Sequence, residues 1–418
     1  MTVDDVSARR CRQRDRSPLS PRPSDVLVAH YFAAVVFLIA AAVVAAVDWI
    51  DPFIHGRWLA VHLALVGGVS QLVVASSQFF AGAFLSTDMP PRRLIRTQLV
   101  LWNVGSIVLL GGMVAELRPA IDLGATMLLA AIVVAIGGLV TMQRKSLQQR
   151  RRMIRWYYTC AGFFIAGLVV GVMMGVGATW THGRLLSAHL TLMLAGWLGT
   201  AIFGTLHTFY PSLTQTVLRF PRLEPVTYWC WVTGVVLLAV GYGATQSILV
   251  ISGWAVMLIA ACLLSANLIG SLSGLRNAET PALLVTVAQL ALVAGMLSAL
   301  IAAVAHDGVS PVGATRAGIA TLFLFGWIGL TVLGSMLRLL SVVARARNMS
   351  IPPPKLYLPR ALAGVAALGV CFAAVGQFSS DNGLWRAGAA LLIVTYVACG
   401  LQIIAFAVRA LQASRLQL

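Results

Sequence analysis

The stretch GRLLSAHLTLMLAGWLGTAIFGTLHTFYPSL, Gly183–Leu213, decides the fold. It holds one basic residue, Arg184, and no acidic one. Its apolar run is long enough to cross a hydrocarbon core about 30 Å thick as a helix. Parts of it return elsewhere in the chain. GRLLSAHL, Gly183–Leu190, matches the earlier GRWLAVHL, Gly56–Leu63. AGWLGTAIFGTL, Ala195–Leu206, matches the later FGWIGLTVLGSM, Phe325–Met336. The two offsets are nearly equal, each a little under a third of the chain.

Outward from this stretch, apolar runs of spanning length recur at about 26–48, 58–85, 96–116, 121–142, 154–178, 184–212, 226–245, 248–271, 280–305, 314–342, 359–377 and 384–411. Hydrocarbon offers backbone amides no water, so each run must satisfy them internally, as a helix does. Alternating strand-length segments are absent. Hydrophobic residues make up 59% of the 418 and charged ones 10%, far below the roughly 25% charge of a soluble domain. The net charge of +17 sits in short clusters between apolar runs, which excludes a nucleic-acid groove.

The arginines give an orientation. Arg9, Arg10, Arg12, Arg14, Arg16 and Arg22 precede the first run. Further clusters follow the second run (Arg92, Arg93, Arg96), the fourth (Arg144, Lys145, Arg150, Arg151, Arg152, Arg155), the sixth (Arg219, Arg222), the eighth (Arg276) and the tenth (Arg345, Arg347, Lys355, Arg360). With twelve helices all of these share one side. The opposite loops hold about one basic residue each, Arg57, Arg118, Arg184, Arg316 and Arg386, beside acids such as Asp48, Glu116 and Asp307. This predicts a multi-pass protein of the cell membrane with both termini cytoplasmic and the bilayer as its main partner. Residues 1–25 read as a disordered basic tail, and 26–418 as a single twelve-helix transmembrane domain. The first run is too long for a signal peptide and reads as a retained helix. Of the six cysteines none forms a CxxC pair, so zinc sites and structural disulfides are not expected.

The two repeat matches fall on the second, sixth and tenth helices. Each is the second helix of a four-helix unit, giving units of about 26–142, 154–271 and 280–411. Like-oriented units imply a pseudo-threefold axis along the membrane normal, unlike the inverted repeats of many transporters. In these units, and in the segment His189–Leu213, the chain resembles subunit I of the haem-copper oxidases and the NnrS-type haem-and-copper membrane proteins. That resemblance implies an all-α, cytochrome c oxidase subunit I-like fold and a haem or copper cofactor. It also implies a role in respiratory or nitric oxide and copper-stress chemistry, with a redox partner or cupredoxin-like protein.

Histidine is the residue type on which that implication rests, because neutral imidazole ligates both haem iron and copper. His62 and His189 stand one turn inside the arginine-poor ends of their helices, at equivalent repeat positions. An ionisable group at such depth suggests function. By the resemblance His62 would ligate haem, and His189 copper or haem. The alternative for each is a hydrogen bond to a neighbouring helix. His207 follows His189 by eighteen residues, roughly 27 Å along a helix, so the two cannot share one small site. It is a secondary candidate, for a second site or a capping role. His30 lies near the arginine-rich end of the first helix, and His55, His182 and His306 fall in outer loops. Gly196, Thr200 and Gly204 share a face that would admit another helix or a flat macrocycle.

The departures from the oxidase pattern are large. The tenth helix, Arg316–Val343, has no histidine. The seventh, Val226–Gly243, lacks the paired copper histidines, and Met193 stands where a tyrosine is expected. Oxygen reduction with proton pumping does not follow from such a set, and whether the chain is an enzyme stays open. The alternatives are a small-solute transporter or channel, and a structural subunit that lost its cofactors. Gln71, Gln78, Asn103, Asn267, Gln289 and Gln402 are expected to hydrogen-bond between helices, and no intramembrane acid stands out as a proton relay.

Overall fold

The computed structural model describes residues 23–146, 151–175, 177, 182–272, 278–347 and 358–415. Most of the basic tail, with Arg150, Arg276 and Lys355, lies outside the described residues. Twelve helices are long and apolar enough to cross a membrane. They are α1 (Val26–Ile50), α2 (Gly56–Leu85), α3 (Arg92–Val114), α4 (Arg118–Lys145), α5 (Ile154–Gly175) and α6 (Gly183–Thr214). The others are α7 (Pro221–Ala244), α8 (Ser247–Leu272), α9 (Thr280–Ala305), α10 (Gly313–Leu339), α11 (Ala361–Ser379) and α12 (Asn382–Phe406). No strand occurs among the described residues. The chain is an all-helical polytopic membrane protein. It divides into two compact units, Met1–Thr179 and Trp180–Leu418.

Each unit turns apolar side chains outward. Along α1, Phe32, Val36, Ile39, Val43 and Val47 form an exposed stripe. Their spacing follows the helical period, and such a stripe is stable only against lipid. Helix association in lipid gains little from the hydrophobic effect and depends on close packing at small residues.

That packing repeats through the chain. In α3 and α4, Gly105, Gly112 and Gly124 face the partner backbone; a methyl on Gly105 would stand 3.1 Å from the Gly124 carbonyl oxygen. In α7 and α8, Gly234, Gly241 and Gly253 do the same, with 3.0 Å from a methyl on Gly234 to the Gly253 oxygen. In α11 and α12 the set is Gly369, Gly376 and Gly388, with 2.8 Å from a methyl on Gly388 to the Gly369 oxygen. The spacing within each set of glycines is identical. The third and fourth helices of each expected four-helix unit are therefore joined by one and the same seam.

A second feature recurs with the sequence repeat. α2, α6 and α10 each widen into a π-helical segment, at Leu63–Val69, Thr191–Gly199 and Thr321–Gly329. The first two begin just after the matching histidines, His62 and His189, and the last two hold the matching GW motifs. A π turn displaces the ordinary i→i−4 ladder, and such turns cluster at functional positions. Here carbonyls within all three receive side-chain donors. Trp102 Nε1–H donates to the Val66 oxygen at 3.0 Å, Thr200 Oγ1–H to Ala195 at 3.4 Å, and the Tyr396 hydroxyl to Phe325 at 2.8 Å. Trp231 in turn donates to the Thr200 hydroxyl at 3.1 Å. Trp102 and Trp231 each stand about one turn before the first glycine of their seam, so corresponding indoles serve corresponding π segments.

Asp48 departs from the sequence reading, which put it in a loop. It ends α1 and is 8% exposed, with its carboxylate against Gly56 where a side chain would clash. The Phe53 N–H (3.3 Å) and the Arg57 guanidinium (3.7 Å) make that burial tolerable.

Candidate functional site

Within the second unit, the arginine-poor ends of α6 to α10 surround a cavity of about 730 Å³. This is the size range of small-molecule sites. Its walls are mostly apolar and aromatic, with Leu194, Met296, Trp254, Phe323 and Trp327 among them. The Trp254 and Phe323 rings are near-parallel, 11° apart in plane, with centroids 6.2 Å apart. Charge stays near the opening, at Arg184, Arg316 and Asp307; both arginines are exposed, and Arg316 Nε–H donates to the Pro311 carbonyl at 3.0 Å.

Local structure fixes the opening. Gly308 has φ +74 and lies so close to the Ser247 backbone that a methyl would approach its Cα to 2.7 Å. The Ser247 hydroxyl donates to the Asp307 carbonyl, and the Ser187 and Ser310 hydroxyls are 2.8 Å apart. The loop between α9 and α10 is thus tied to α6 and α8.

Two polar groups of the wall are only partly used. Tyr242, 7% exposed, accepts from Trp254 Nε1–H at 3.1 Å, which leaves its own proton to give. Trp327 is 1% exposed, and its Nε1–H has no acceptor among the described residues.

The histidines named from sequence lie elsewhere. Ser187, Leu190, Thr191 and Leu194 line the cavity, while His189 is not among the lining residues. Two positions beyond Ser187 it is about 200° further round the helix, on the opposite side. His189 is half-buried. His62, also half-buried, lies in the first unit; its Nδ1–H donates to the Trp58 carbonyl at 2.8 Å, with the two rings stacked 4.1 Å apart. That donation makes Nε2 the lone-pair nitrogen. His207 is buried and donates from Nδ1 to the Phe203 carbonyl at 2.7 Å. His55, in the loop before α2, is 3.7 Å from Glu116. No group of three or more His, Cys, Asp or Glu able to hold a metal ion occurs among the described residues. No histidine lines the cavity, so it does not suit a haem with a histidine axial ligand.

Of the small-residue face of α6, Thr200 is met by an indole, Trp231 Nε1–H donating to its hydroxyl at 3.1 Å. Beside it a methyl on Gly199 would meet the Trp231 ring at 2.6 Å and the Trp327 ring at 2.9 Å, and Phe203 stacks on Trp231 at 3.8 Å.

A second polar constellation joins α1, α2 and α3. Gln78 Nε2–H donates to Gln98 Oε1 at 2.5 Å, and Gln98 Nε2–H to His30 Nε2 at 3.3 Å. His30 Nδ1–H donates to Gln71 Oε1 at 2.6 Å, Gln71 Nε2–H to Asn103 Oδ1 at 2.8 Å, and Asn103 to the Leu99 carbonyl at 2.7 Å. Every donor runs the same way along the chain, an arrangement in which each bond polarises the next. Both His30 nitrogens are engaged, so a haem-ligand role does not fit it here.

The inter-helix bonds expected of Gln71, Gln78 and Asn103 are present. Asn267 instead holds the Phe220 backbone, accepting from its N–H at 2.9 Å and donating to its carbonyl at 3.1 Å. Gln289 donates within its own helix, to Val285 at 3.4 Å. Gln98 and the His30 hub were not singled out, although two amides one heptad apart at Gln71 and Gln78 mark a polar face on α2. Trp327 stood in the repeated FGWIGL motif, but a tryptophan in a repeat reads equally well as packing.

Comparison with models of known protein families gives no match, and comparison with curated proteins gives none.

Proposed function

We propose that this chain is a membrane protein that takes up a small, largely apolar solute in the cavity at the arginine-poor ends of α6 to α10, as a transporter or channel would. The carrying observation is the cavity itself. It combines about 730 Å³, aromatic walls, a charged opening and a tied-down rim in a molecule with few polar groups to spare. The arginine distribution supports a place in the cell membrane with both termini cytoplasmic and this opening on the far side. The test is binding of N-phenyl-1-naphthylamine to the full chain in lipid nanodiscs, read by its fluorescence against protein-free discs. Saturable binding, weakened at least tenfold by Ala299→Trp at the cavity wall, is the expected result. Binding untouched by that substitution overturns the reading.

A second reading, a haem- or copper-binding relative of oxidase subunit I, has one observation in its favour. His62 donates from Nδ1 to the Trp58 carbonyl, the arrangement that commonly orients a metal-ligating imidazole. His62 in the first unit, and separately His189 in the second, would each hold such a group, which would supply redox chemistry when bound. The absorption spectrum and metal content of protein expressed with haem and copper supplied test it. A Soret band or stoichiometric copper lost in His62→Ala supports it, and absence of both rejects it.

A further inference from the structure

The cavity wall has a hydrogen-bond donor left over. Trp327 Nε1–H has no acceptor among the described residues, but that atom is closed off from the cavity space. Tyr242 has spent an oxygen lone pair on Trp254 and still carries its proton. Both residues line the cavity and both are more than nine-tenths buried. A buried donor without an acceptor is costly, so a wall of this kind favours an occupant that brings acceptors. Other polar groups at the wall are already held, Thr191 donating to the Ser187 carbonyl at 2.8 Å and Ser187 pairing with Ser310. The charged side chains sit at the opening, which leaves the depth apolar. The near-parallel Trp254 and Phe323 rings present flat aromatic faces to the same space.

We propose that the occupant is a flat, lipid-soluble carbonyl compound of the quinone class, its ring against the aromatic walls and an oxygen accepting from the Tyr242 hydroxyl. This rests on the cavity being a solute site and adds what the solute must carry. A pocket of hydrogen-bond donors discriminates strongly against an analogue of the same shape that lacks the acceptor, because the donors then stay unpaired. A purely apolar wall does not.

The experiment compares 1,4-naphthoquinone with naphthalene, nearly alike in shape but differing in the two oxygens. Each is equilibrated with the full chain in nanodiscs, and uptake by protein-free discs is subtracted. The expected result is at least tenfold tighter saturable binding of the quinone. Tyr242→Phe, which removes only a hydroxyl, should abolish that preference. Equal affinity for both compounds overturns the donor assignment and leaves the cavity as a solute site. A preference that survives Tyr242→Phe also overturns the assignment. Saturable binding of neither compound overturns the assignment and the solute reading together.

Discussion

Two polar sites, one in each unit, are treated in opposite ways. Around His30, the amides of α2 and α3 bond one another in a continuous chain across three helices. Around the cavity, Trp327 and Tyr242 carry protons that nothing nearby has fully used. Lipid cannot hydrogen-bond, so a polar group at depth either finds a partner in the protein or waits for one from outside. The first arrangement holds helices together. The second selects an occupant. Sequence composition does not separate them, since each uses a few polar residues on apolar helices.

Substitutions can break or sharpen that contrast. The largest effect belongs to what both units share. Gly124→Val and Gly253→Val occupy corresponding places in the glycine seam, and each should destabilise its unit by about 3 kcal/mol through overpacking against backbone. Thermal unfolding in detergent measures this. Costs that differ widely would show that the seams are not equivalent. Next comes His30→Leu, which strands Gln71 Oε1 and Gln98 Nε2–H and should cost about 2 kcal/mol. A loss well below about 1 kcal/mol would mean that water replaces the imidazole and the chain is not a structural tie. The smallest effect, and the sharpest comparison, is between two tryptophans. Trp102→Phe and Trp327→Phe vacate the same volume at buried sites, but Trp102→Phe also removes the donor to the Val66 carbonyl and should cost about 1 kcal/mol more. Trp327→Phe removes a donor with no partner among the described residues. Equal costs for the two would erase the distinction between a paired and an unpaired indole.

The helices were legible because their signal is long and repeated: each span carries enough apolar residues to register against loops marked by arginine. The repeat was legible at His62 and His189, where several neighbouring residues match, and at the two GW motifs. It was not legible at the glycine seam, although Gly105, Gly112 and Gly124 recur with the same internal spacing in the later units. Single glycines among 38 carry little weight until the partner backbone is seen beside them. The π segments were hidden for a different reason. One widened turn changes no residue type, only which carbonyls are freed. The cavity was illegible because its wall comes from five helices, and no local pattern records a space between distant elements. The histidines drew attention as ionisable groups in apolar helices, yet the donor that the cavity wall has to spare is a tyrosine hydroxyl.

The π segments also carry a history. A π turn accommodates one residue more than the α turn it replaces, so its simplest origin is a single inserted codon. All three segments sit in the second helix of an expected four-helix unit, and each has a carbonyl taken by a side chain. Copying of one four-helix segment that already held the extra residue would leave this pattern, and three separate insertions at one place would be a coincidence.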